Sequence, residues 1–337
     1  MSHCIEKPRL SVVIPTYNRK DSLKVTLDAL GRQDCASELF EVIVVSDGST
    51  DGTTEFLTNY ESAAPYCLRF IVQENAGPGR ARNQGIEAAQ GDVIVFVDDD
   101  IEPLPGFLTA HMAHHENDSE TVVIGPMSGD PAQRSQEPCW IYWEHAMLKK
   151  QYHALTSGEW ESAGPNHFYS GNSSLLRAHL LEVGGFDETF RRQEDVELAY
   201  RLQRERHVRF LFDPKTDALH RPVRSFQSWL NIAAAYGKLD VIRARRGDVS
   251  WKLIRLGYTS RNRATRLMAS AIINAPGLSK PLHTALLAVA KSAYRAGVEK
   301  ISTQALSALY NIQYIESACS EMGKLEMKDL IQNGRGE

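Results

Sequence analysis

Five short runs of consecutive apolar, mostly β-branched residues lie within the first 125 residues of this chain. The runs are Leu10–Ile14, Val42–Val45, Phe70–Val72, Val93–Val97 and Val122–Ile124. Such runs are typical of strands that are buried on both faces of a mostly parallel sheet. Residues 21–33 and 78–90, which lie between runs, have the spacing of amphipathic helices. The alternation of strands and helices predicts a doubly wound α/β fold, with a mostly parallel central sheet flanked by helices.

The second half of the chain has a different pattern. A helix is predicted at Glu194–Arg206 and a strand at Val208–Phe212, and nearly every segment after Ser225 has helical periodicity. We therefore predict an α/β domain over residues 1–222 and a mainly helical C-terminal region over residues 223–337. The helical region is expected to break near Gly247, Gly257 and Pro276–Pro281.

Composition and charge exclude several classes of protein. Hydrophobic residues make up 42% of the 337 residues and charged residues 24%, which is ordinary for a globular protein and excludes global disorder, collagen and coiled coil. The net charge of −4 argues against a dedicated nucleic-acid-binding protein. We expect no nucleic-acid partner.

Cysteine spacing and hydropathy indicate in which cellular compartment the protein is expected. The five cysteines lack CxxC and zinc-finger spacings, which predicts reduced thiols. They are Cys4, Cys35, Cys67, Cys139 and Cys319. The first twenty residues lack a signal-peptide pattern, and the longest apolar-leaning stretch, residues 267–290, is interrupted by polar residues and prolines. A cytoplasmic protein is therefore expected.

Polar clusters follow three of the predicted strands. The first strand leads into Pro15-Thr16-Tyr17-Asn18, the second into a segment that begins Ser46-Asp47, and the fourth into Asp98-Asp99-Asp100. Ligands of open parallel sheets bind beyond the carboxyl ends of the strands, so the three clusters together predict one shared site. Any one cluster alone is better explained as an ordinary polar turn.

The acidic triplet 98–100 suggests a metal site. On an extended chain Asp98 and Asp100 would point to the same side and Asp99 to the other. Two carboxylates on one side repel each other unless a cation lies between them, and Mg²⁺ or Mn²⁺ held by carboxylates and substrate phosphates would meet that need. A solvated acidic turn is the alternative.

Two later segments carry further candidate residues. Residues 75–83 combine Gly77 and Gly79 with Arg80 and Arg82 at a predicted helix start, a combination suited to approach by a phosphate group. Glu194-Asp195 opens a predicted helix. These acids either complement the helix dipole or include a general base that takes a proton from an attacking hydroxyl.

These motifs, taken together, resemble the family-two inverting glycosyltransferases, which have a Rossmann-like GT-A fold. The resemblance runs over about residues 8–222 through six segments: 11–19, 44–51, 75–83, 97–100, 184–188 and 194–195. It implies a nucleotide-sugar-binding half at about 8–125 and an acceptor half at about 126–222. The implied function is transfer of a sugar from a nucleotide diphosphate sugar, with UDP-sugar favoured, to an acceptor hydroxyl. The acceptor would be a glycan, a lipid-linked acceptor or a small molecule, in cell-surface glycan, glycolipid or secondary-metabolite synthesis.

The resemblance also implies roles for individual residues. Pro15, Thr16 and Tyr17 would line the base pocket, and Asp47 would accept from the base ring. Other residues implied to bind the nucleotide or donor sugar are Asn18, Asn75, Gly77, Arg82, Asp98 and Asp99. Asp195, with Glu194 beside it, is similar to the family's base. Donor sugar and acceptor would face Trp160, Tyr169, Gly171 and Asn172.

The metal would be Mn²⁺ or Mg²⁺, held by Asp100. His220 is predicted to complete the site, since some members of the resembled family bring a histidine back to the cation at this point of the chain. An imidazole ligand suits Mn²⁺ better than Mg²⁺. The alternative for His220 is a polar residue bonded to backbone.

Two other functions stay open at this point. One is a catalytically silent nucleotide-sugar-binding protein with the same fold. The other is a sugar nucleotidyltransferase, which shares the α/β layering and the acidic metal ligands. A nucleotidyltransferase is expected to carry a glycine-rich basic loop after its first strand, and residues 15–19 do not have that composition.

A basic segment lies in the helical region. Residues 243–266 contain eight Lys and Arg residues and one acid, Asp248. The pattern is explained either by a solvated helical face or by peripheral contact with an anionic membrane surface, which would be the inner face of the membrane for a cytoplasmic protein. The sequence predicts no oligomeric state.

Overall fold

The computed structural model describes residues 7–116, 118–134 and 136–334. The chain divides into two compact units. The α/β unit contains Met1–Ser135 and His145–Val223, and the helical unit contains Gln136–Glu144 and Arg224–Glu337.

The α/β unit is built on a seven-stranded sheet in the order β3-β2-β1-β4-β8-β6-β9. Its strands are β1 Leu10–Thr16, β2 Phe40–Asp47, β3 Cys67–Gln73, β4 Val93–Val97, β6 Thr121–Ile124, β8 Asn172–Leu176 and β9 Arg209–Phe212. The first four run parallel to one another, β8 is antiparallel to both β4 and β6, and β9 is parallel to β6. This mostly parallel sheet confirms the predicted α/β class.

Helices cover both faces of this sheet. They are α1 Lys20–Leu30, α2 Thr53–Ala63, α3 Pro78–Ala88, α4 Phe107–His114, α6 Arg177–Glu182 and α7 Glu194–Arg206. A further helix, α5 Cys139–Thr156, has its first residues in the helical unit and the rest in the α/β unit. Short 3₁₀ turns lie at Ser37–Leu39 and Pro165–His167.

The core of the α/β unit lies on the two faces of the central strands. Alternate residues of β1 enter different clusters, with Val12 and Ile14 on one face and Val13 on the other. All eight residues of β2 are buried. On the second face α3 lies very close to the sheet, because a Cβ built at Gly85 would overlap the Val13 side chain. Double-sided burial explains why these strands are apolar at consecutive positions.

A small second sheet positions part of the candidate site. It has the order β5-β10-β7 and consists of β5 Ile101–Pro103, β10 Ala218–His220 and β7 Met127–Gly129. β5 and β10 are antiparallel, with His220 opposite Ile101. The Arg221 amide donates to the Asp100 carbonyl oxygen at 2.8 Å. This pairing brings His220 next to the acidic triplet although the two lie about 120 positions apart in the chain.

Within the described residues, the helical unit contains six helices after α5. They are α8 Phe226–Arg246, α9 Trp251–Thr259, α10 Arg263–Asn274, α11 Ser279–Arg295, α12 Glu299–Met322 and α13 Lys324–Asn333. Its apolar cores include Val241, Ile273 and Ile315 in one cluster and Trp229 and Leu306 in another. None of the helices in the described ranges is long and apolar enough to cross a membrane.

Several local expectations differ from the structure. The helical region does break at Gly247, which ends α8 in the left-handed conformation, and at 276–278, a 3₁₀ turn. The break predicted near Gly257 lies a few residues later, at 260–262 between α9 and α10, and Gly257 itself is inside α9. Cys35, Cys139 and Cys319 are free thiols, whereas Cys67 is disulfide-bonded, which corrects the expectation of five reduced cysteines. Cys4 lies outside the described residues.

Candidate active site

The acidic triplet lies in a turn that follows β4. The strand ends at Val97, and the Ile101 amide donates to the Asp98 carbonyl oxygen at 3.2 Å, which closes a turn over residues 98–101. The Asp98 carboxylate accepts from Arg82 Nη2 at 2.6 Å. Asp99 and Asp100 instead share Arg19, whose Nη1 lies 3.1 Å from Asp99 Oδ1 and 2.6 Å from Asp100 Oδ2. The prediction that Asp99 points away from Asp100 is therefore wrong, because the chain turns where alternation would require an extended strand.

Burial dominates the electrostatics of the triplet. Asp99 and Asp100 are 5% and 6% exposed. Burial raises the pKa of Asp99, the positive charge of Arg19 opposes that shift, and the negative charge of Asp100 adds to it. The Thr16 hydroxyl also donates to Asp99 Oδ2 at 2.7 Å. Thr16 thus holds the acidic turn, in addition to its predicted place near the base pocket.

His220 faces the third acid of the triplet. Its Nε2 lies 3.7 Å from Asp100 Oδ1, whereas Arg19 contacts Oδ2 of the same carboxylate. The imidazole is 8% exposed, and its ring centroid lies 5.5 Å from that of His145 at the start of the α/β part of α5. Among the residues that the structure describes, no group of three or more His, Cys, Asp or Glu side chains could hold a metal ion.

One carboxylate oxygen and one imidazole nitrogen nevertheless form a pair of donors suited to a divalent cation. Mn²⁺ and Mg²⁺ commonly bind one or two protein ligands and take the rest from substrate phosphates and water. The imidazole donor favours Mn²⁺ over Mg²⁺. The residues present therefore fit the predicted cation.

Arg82 connects the acidic turn to the start of α7. It is 4% exposed, and its Nη1 donates to Glu194 Oε1 at 3.0 Å while its Nη2 donates to Asp98. The α3 segment that carries Arg82 begins at Pro78 after Gly77, whose φ of +100° is unfavourable for other residues. One buried guanidinium thus links two acids that lie 96 positions apart (194 − 98).

Asp195 has a different environment from that of its neighbour. It is half-buried, and its Oδ1 accepts from the Val196 amide at 2.8 Å. Burial and the negative charge of Glu194 raise the pKa of Asp195 to about 7, and Arg82 opposes the shift. Glu194 is committed to Arg82, whereas Asp195 is left with a carboxyl group near the pKa of an efficient general base.

Asp47 anchors the loop that precedes α3. Its Oδ1 accepts from Gln73 Nε2 and the Ala76 amide, both at 2.7 Å, and its Oδ2 accepts from the Gly77 amide at 2.9 Å. Asn75 Nδ2 donates to the Asp47 carbonyl oxygen at 2.9 Å. A carboxylate has about four acceptor sites, so three bonds leave one for a nucleobase N–H.

The end of β1 and the residues after it carry the other predicted base-pocket residues. Pro15 pairs with Val45 in the parallel ladder, and the Tyr17 side chain is 51% exposed. Asn18 adopts the left-handed conformation at φ 52°, and its Oδ1 accepts from the Thr50 amide at 2.7 Å. Asn18 therefore joins the loops that follow β1 and β2. Tyr17 is the member of this segment whose side chain is most available to a base.

The predicted acceptor residues do not form one group. Asn172 is fully buried, with its amide bonded to His111 and to the carbonyl oxygens of Pro126 and Thr216. The prediction that Asn172 faces sugar or acceptor is therefore wrong: it fastens β8 to its neighbours. The Tyr169 hydroxyl donates to the Gly125 carbonyl oxygen at 2.5 Å.

The acceptor roles of Gly171 and Trp160 stay predictions. A Cβ at Gly171 would lie 3.0 Å from Asp98 Oδ2, so the chain passes close to the acidic turn there. Trp160 is 40% exposed, with its ring centroid 5.0 Å from that of His167.

Two arginines near the site had no role in the sequence prediction. Arg19 belongs to the motif after the first strand, but its pairing with residues 99 and 100 requires the tertiary fold. The exposed Arg191 lies against Gly77, where a Cβ would overlap its guanidinium. The sequence gives a partial signal for the contact between Arg191 and Gly77. It shows a glycine in a loop suited to approach by a phosphate group, and an arginine just before Glu194-Asp195.

Comparison with known proteins identifies the family. The family model described as "Glycosyl transferase family 2" matches residues 11–181, which contain the acidic triplet, Arg82 and the loop anchored by Asp47. The chain belongs to glycosyl transferase family 2. The match ends before Glu194-Asp195 and His220, so the placement of those residues rests on the geometry.

Individual relatives agree with this family. Validoxylamine A glucosyltransferase from Streptomyces hygroscopicus subsp. limoneus is 34% identical over 218 residues, which cover 58% of this chain and 48% of the relative. The chain spans about half the length of the curated relatives it matches.

Two solved structures share the fold. The mannosyltransferase PcManGT from Pyrobaculum calidifontis, in complex with GDP-Man and Mn²⁺, is 18% identical with a TM-score of 0.56, and the alignment covers 97% of this chain and 79% of that one. Residues 1–349 of S. aureus TarS, in complex with UDP-GlcNAc, are 17% identical with a TM-score of 0.55, and the alignment covers 93% and 92%. At these identities the likeness establishes the GT-A-type fold alone.

Proposed function

We propose that this family 2 member transfers a sugar from a nucleoside diphosphate sugar to an acceptor hydroxyl, with inversion at the anomeric carbon. The observation that carries the proposal is the chain of contacts from Asp98 through Arg82 to Glu194, which joins the strand-end acids to the residue beside Asp195. Asp195, a group with a raised pKa, thus adjoins a residue that Arg82 joins to a strand-end acid, and ligands of such sheets bind beyond the strand ends.

Asp195 is the base in this proposal. Its carboxylate takes the proton from the acceptor hydroxyl as the oxygen attacks the anomeric carbon. The bond from that carbon to the diphosphate oxygen breaks on the opposite face, and the nucleoside diphosphate leaves with the bonding electron pair. Glu194 is bonded to Arg82 and therefore has a positioning role.

Negative charge develops on the leaving diphosphate. Asp100 and His220 would hold the divalent cation, whose positive charge stabilises that group. Asp47 and Tyr17 would contact the base, in the arrangement described above. A UDP-sugar is the favoured donor by likeness to TarS, which was solved with UDP-GlcNAc, although PcManGT was solved with GDP-Man. Trp160 and Gly171 would border the acceptor.

Product analysis tests the proposal. The protein is incubated with Mn²⁺ and, separately, UDP-glucose, UDP-GlcNAc and GDP-mannose, with a panel of sugar and lipid-linked acceptors, and the products are measured by mass spectrometry. Free nucleoside diphosphate together with a glycosylated acceptor, or with free sugar from slow donor hydrolysis, is the expected result.

Other products would contradict the proposal. Pyrophosphate release would indicate a sugar nucleotidyltransferase. Tight donor binding with neither transfer nor hydrolysis, under the same conditions, would indicate a silent nucleotide-sugar-binding protein.

A further inference from the structure

Arg19 contacts two acids of the candidate active site. A single nitrogen, Nη1, contacts both Asp99 and Asp100. The side chains of the two acids are 8% and 4% exposed, whereas the arginine side chain is 34% exposed. Two adjacent carboxylates so poorly hydrated repel each other strongly, and a positively charged partner lowers the cost of placing them side by side.

The same carboxylate is the proposed ligand of the divalent cation. Asp100 Oδ2 accepts from Arg19 Nη1, and Asp100 Oδ1 lies 3.7 Å from His220 Nε2. A guanidinium and a divalent cation on one carboxylate would lie within a few ångströms of each other, and their like charges repel in this poorly hydrated setting. Arg19 and the cation therefore compete for Asp100.

Arg19 can leave without a change in the fold. Its backbone precedes α1 and is fixed by the bond from the Leu23 amide to the Arg19 carbonyl oxygen at 2.9 Å. The guanidinium, in contrast, is carried on a flexible stem, and its planar fork suits a diphosphate as well as a carboxylate.

We propose that Arg19 has two alternative partners. Without metal, its guanidinium pairs with Asp99 and Asp100. When the divalent cation binds Asp100, the guanidinium moves to the diphosphate of the donor. The inference rests on the proposed function. It implies that cation and donor bind cooperatively. The cation must displace Arg19 from Asp100, and the donor diphosphate offsets the free energy of that displacement by binding the displaced guanidinium.

Mn²⁺ binding tests this directly and needs no turnover. The electron paramagnetic resonance signal of free Mn²⁺ is titrated with protein, with and without UDP, for the parent chain and for Arg19→Gln, Arg19→Lys, Asp100→Asn and Lys24→Gln. Lys24 is the matched control, since it is an exposed cation on α1 that pairs with Asp28 and does not contact the acidic triplet.

The expected results differ among the variants. The parent binds Mn²⁺ weakly alone and much more tightly with UDP. Arg19→Gln binds Mn²⁺ alone about tenfold more tightly than the parent, and UDP adds less than it does in the parent, consistent with the usual range of coupling between sites. Arg19→Lys and Lys24→Gln resemble the parent in the absence of UDP, and Asp100→Asn loses binding.

Two outcomes would overturn the proposal. If Arg19→Gln keeps a parental melting temperature but shows parental or weaker Mn²⁺ affinity and an unchanged effect of UDP, the ion pair is a static support, and the proposed function stands because Asp100→Asn still loses Mn²⁺. If Asp100→Asn binds Mn²⁺ as the parent does, the cation lies elsewhere, and both this inference and the metal placement in the proposed function fail.

Discussion

Asp195 and Glu194 are neighbours in the chain, but their surroundings give them different chemistry. Glu194 is held by Arg82, and Asp195 has a pKa raised to about 7 by burial and by Glu194. A general base must be deprotonated, so activity should be lost as pH falls through 7. We expect kcat/KM to rise about tenfold per pH unit below 7 and to level off above it.

Substitution of the base separates binding from transfer. Asp195→Asn should bind the donor with parental affinity and lose about 10²–10⁴-fold in kcat, together with the rise of activity around pH 7. Steady-state kinetics over pH 5–9 (about two units either side of 7) and calorimetric titration with UDP would measure both effects. Parental turnover in this variant would return Asp195 to the role of an acid in the first turn of a helix.

Arg82 is expected to matter for stability as well as for the site. Its removal leaves Glu194, 10% exposed, without its positive partner, whereas Asp98 at 38% is partly solvated and contributes less. Arg82→Met should lower the free energy of unfolding by about 3 kcal/mol, measured by urea denaturation. Arg80→Met, which removes an exposed arginine 3.6 Å from Glu188, should change it by less than about 0.5 kcal/mol. Equal effects of the two changes would contradict this account.

Individual residues of the site were predictable where the chemistry is local. An acid-rich turn after a buried strand and an acid pair at a helix start are visible in the sequence. The orientation within residues 98–100 was not, because β4 ends at Val97 and the strand rule no longer applies. Asn172 was misassigned because a Gly-Asn pair gives no sign of whether its amide will be buried, and its bonds to Pro126 and Thr216 depend on tertiary contacts.

At the scale of elements, close approach of α3 to the sheet gives a stability prediction. A Cβ at Gly85 would overlap Val13, which is fully buried in β1. Gly85→Ala should lower the free energy of unfolding by about 1–3 kcal/mol through overpacking, despite the better helix propensity of alanine. Gly164→Ala is the control, since it has extended backbone and nothing within 4 Å of its Cβ position. If Gly85→Ala instead raised the free energy of unfolding, α3 would be able to move away from Val13 without loss of stability.

Elements with their own periodicity were predicted, and elements defined by distant partners were not. β1, β2 and β4 are apolar at consecutive positions because both faces are covered, so their sequence alone predicts them. The strands β5, β7 and β10 have three residues each and no pattern of their own. They form because they pair with one another, and that pairing is what brings His220 to Asp100.

At the scale of the whole molecule, a net charge of −4 coexists with a basic segment at residues 243–266. Five of its eight cations fall into two kinds in the structure. Arg243 is 2% exposed beside Asp240, and Arg245 pairs with Glu321 and Glu326, so neither is free to meet a partner. Lys252, Arg263 and Arg266 are exposed, and within the described ranges their side chains have no ion-pair partner.

The exposed cations lie next to exposed apolar side chains. Lys252 and Leu256 are four positions apart on α9, as are Arg263 and Leu267 on α10, so each pair shares a helix face. The two leucines are 48% and 62% exposed. Cations beside exposed leucines are the combination that favours the surface of an anionic membrane over a neutral one.

We therefore expect the protein to float with phosphatidylserine-containing vesicles at low salt and not with neutral vesicles. Three cations at about 1 kcal/mol each correspond to roughly 100-fold in affinity, so the triple change of Lys252, Arg263 and Arg266 to Gln should abolish flotation. The control removes the same charge elsewhere, by changing the exposed Lys7, Arg9 and Arg32 to Gln. If both triple variants lose flotation equally, net charge alone accounts for binding. If neither loses it, or if the parent does not distinguish the two kinds of vesicle, the basic segment is a solvated helical face.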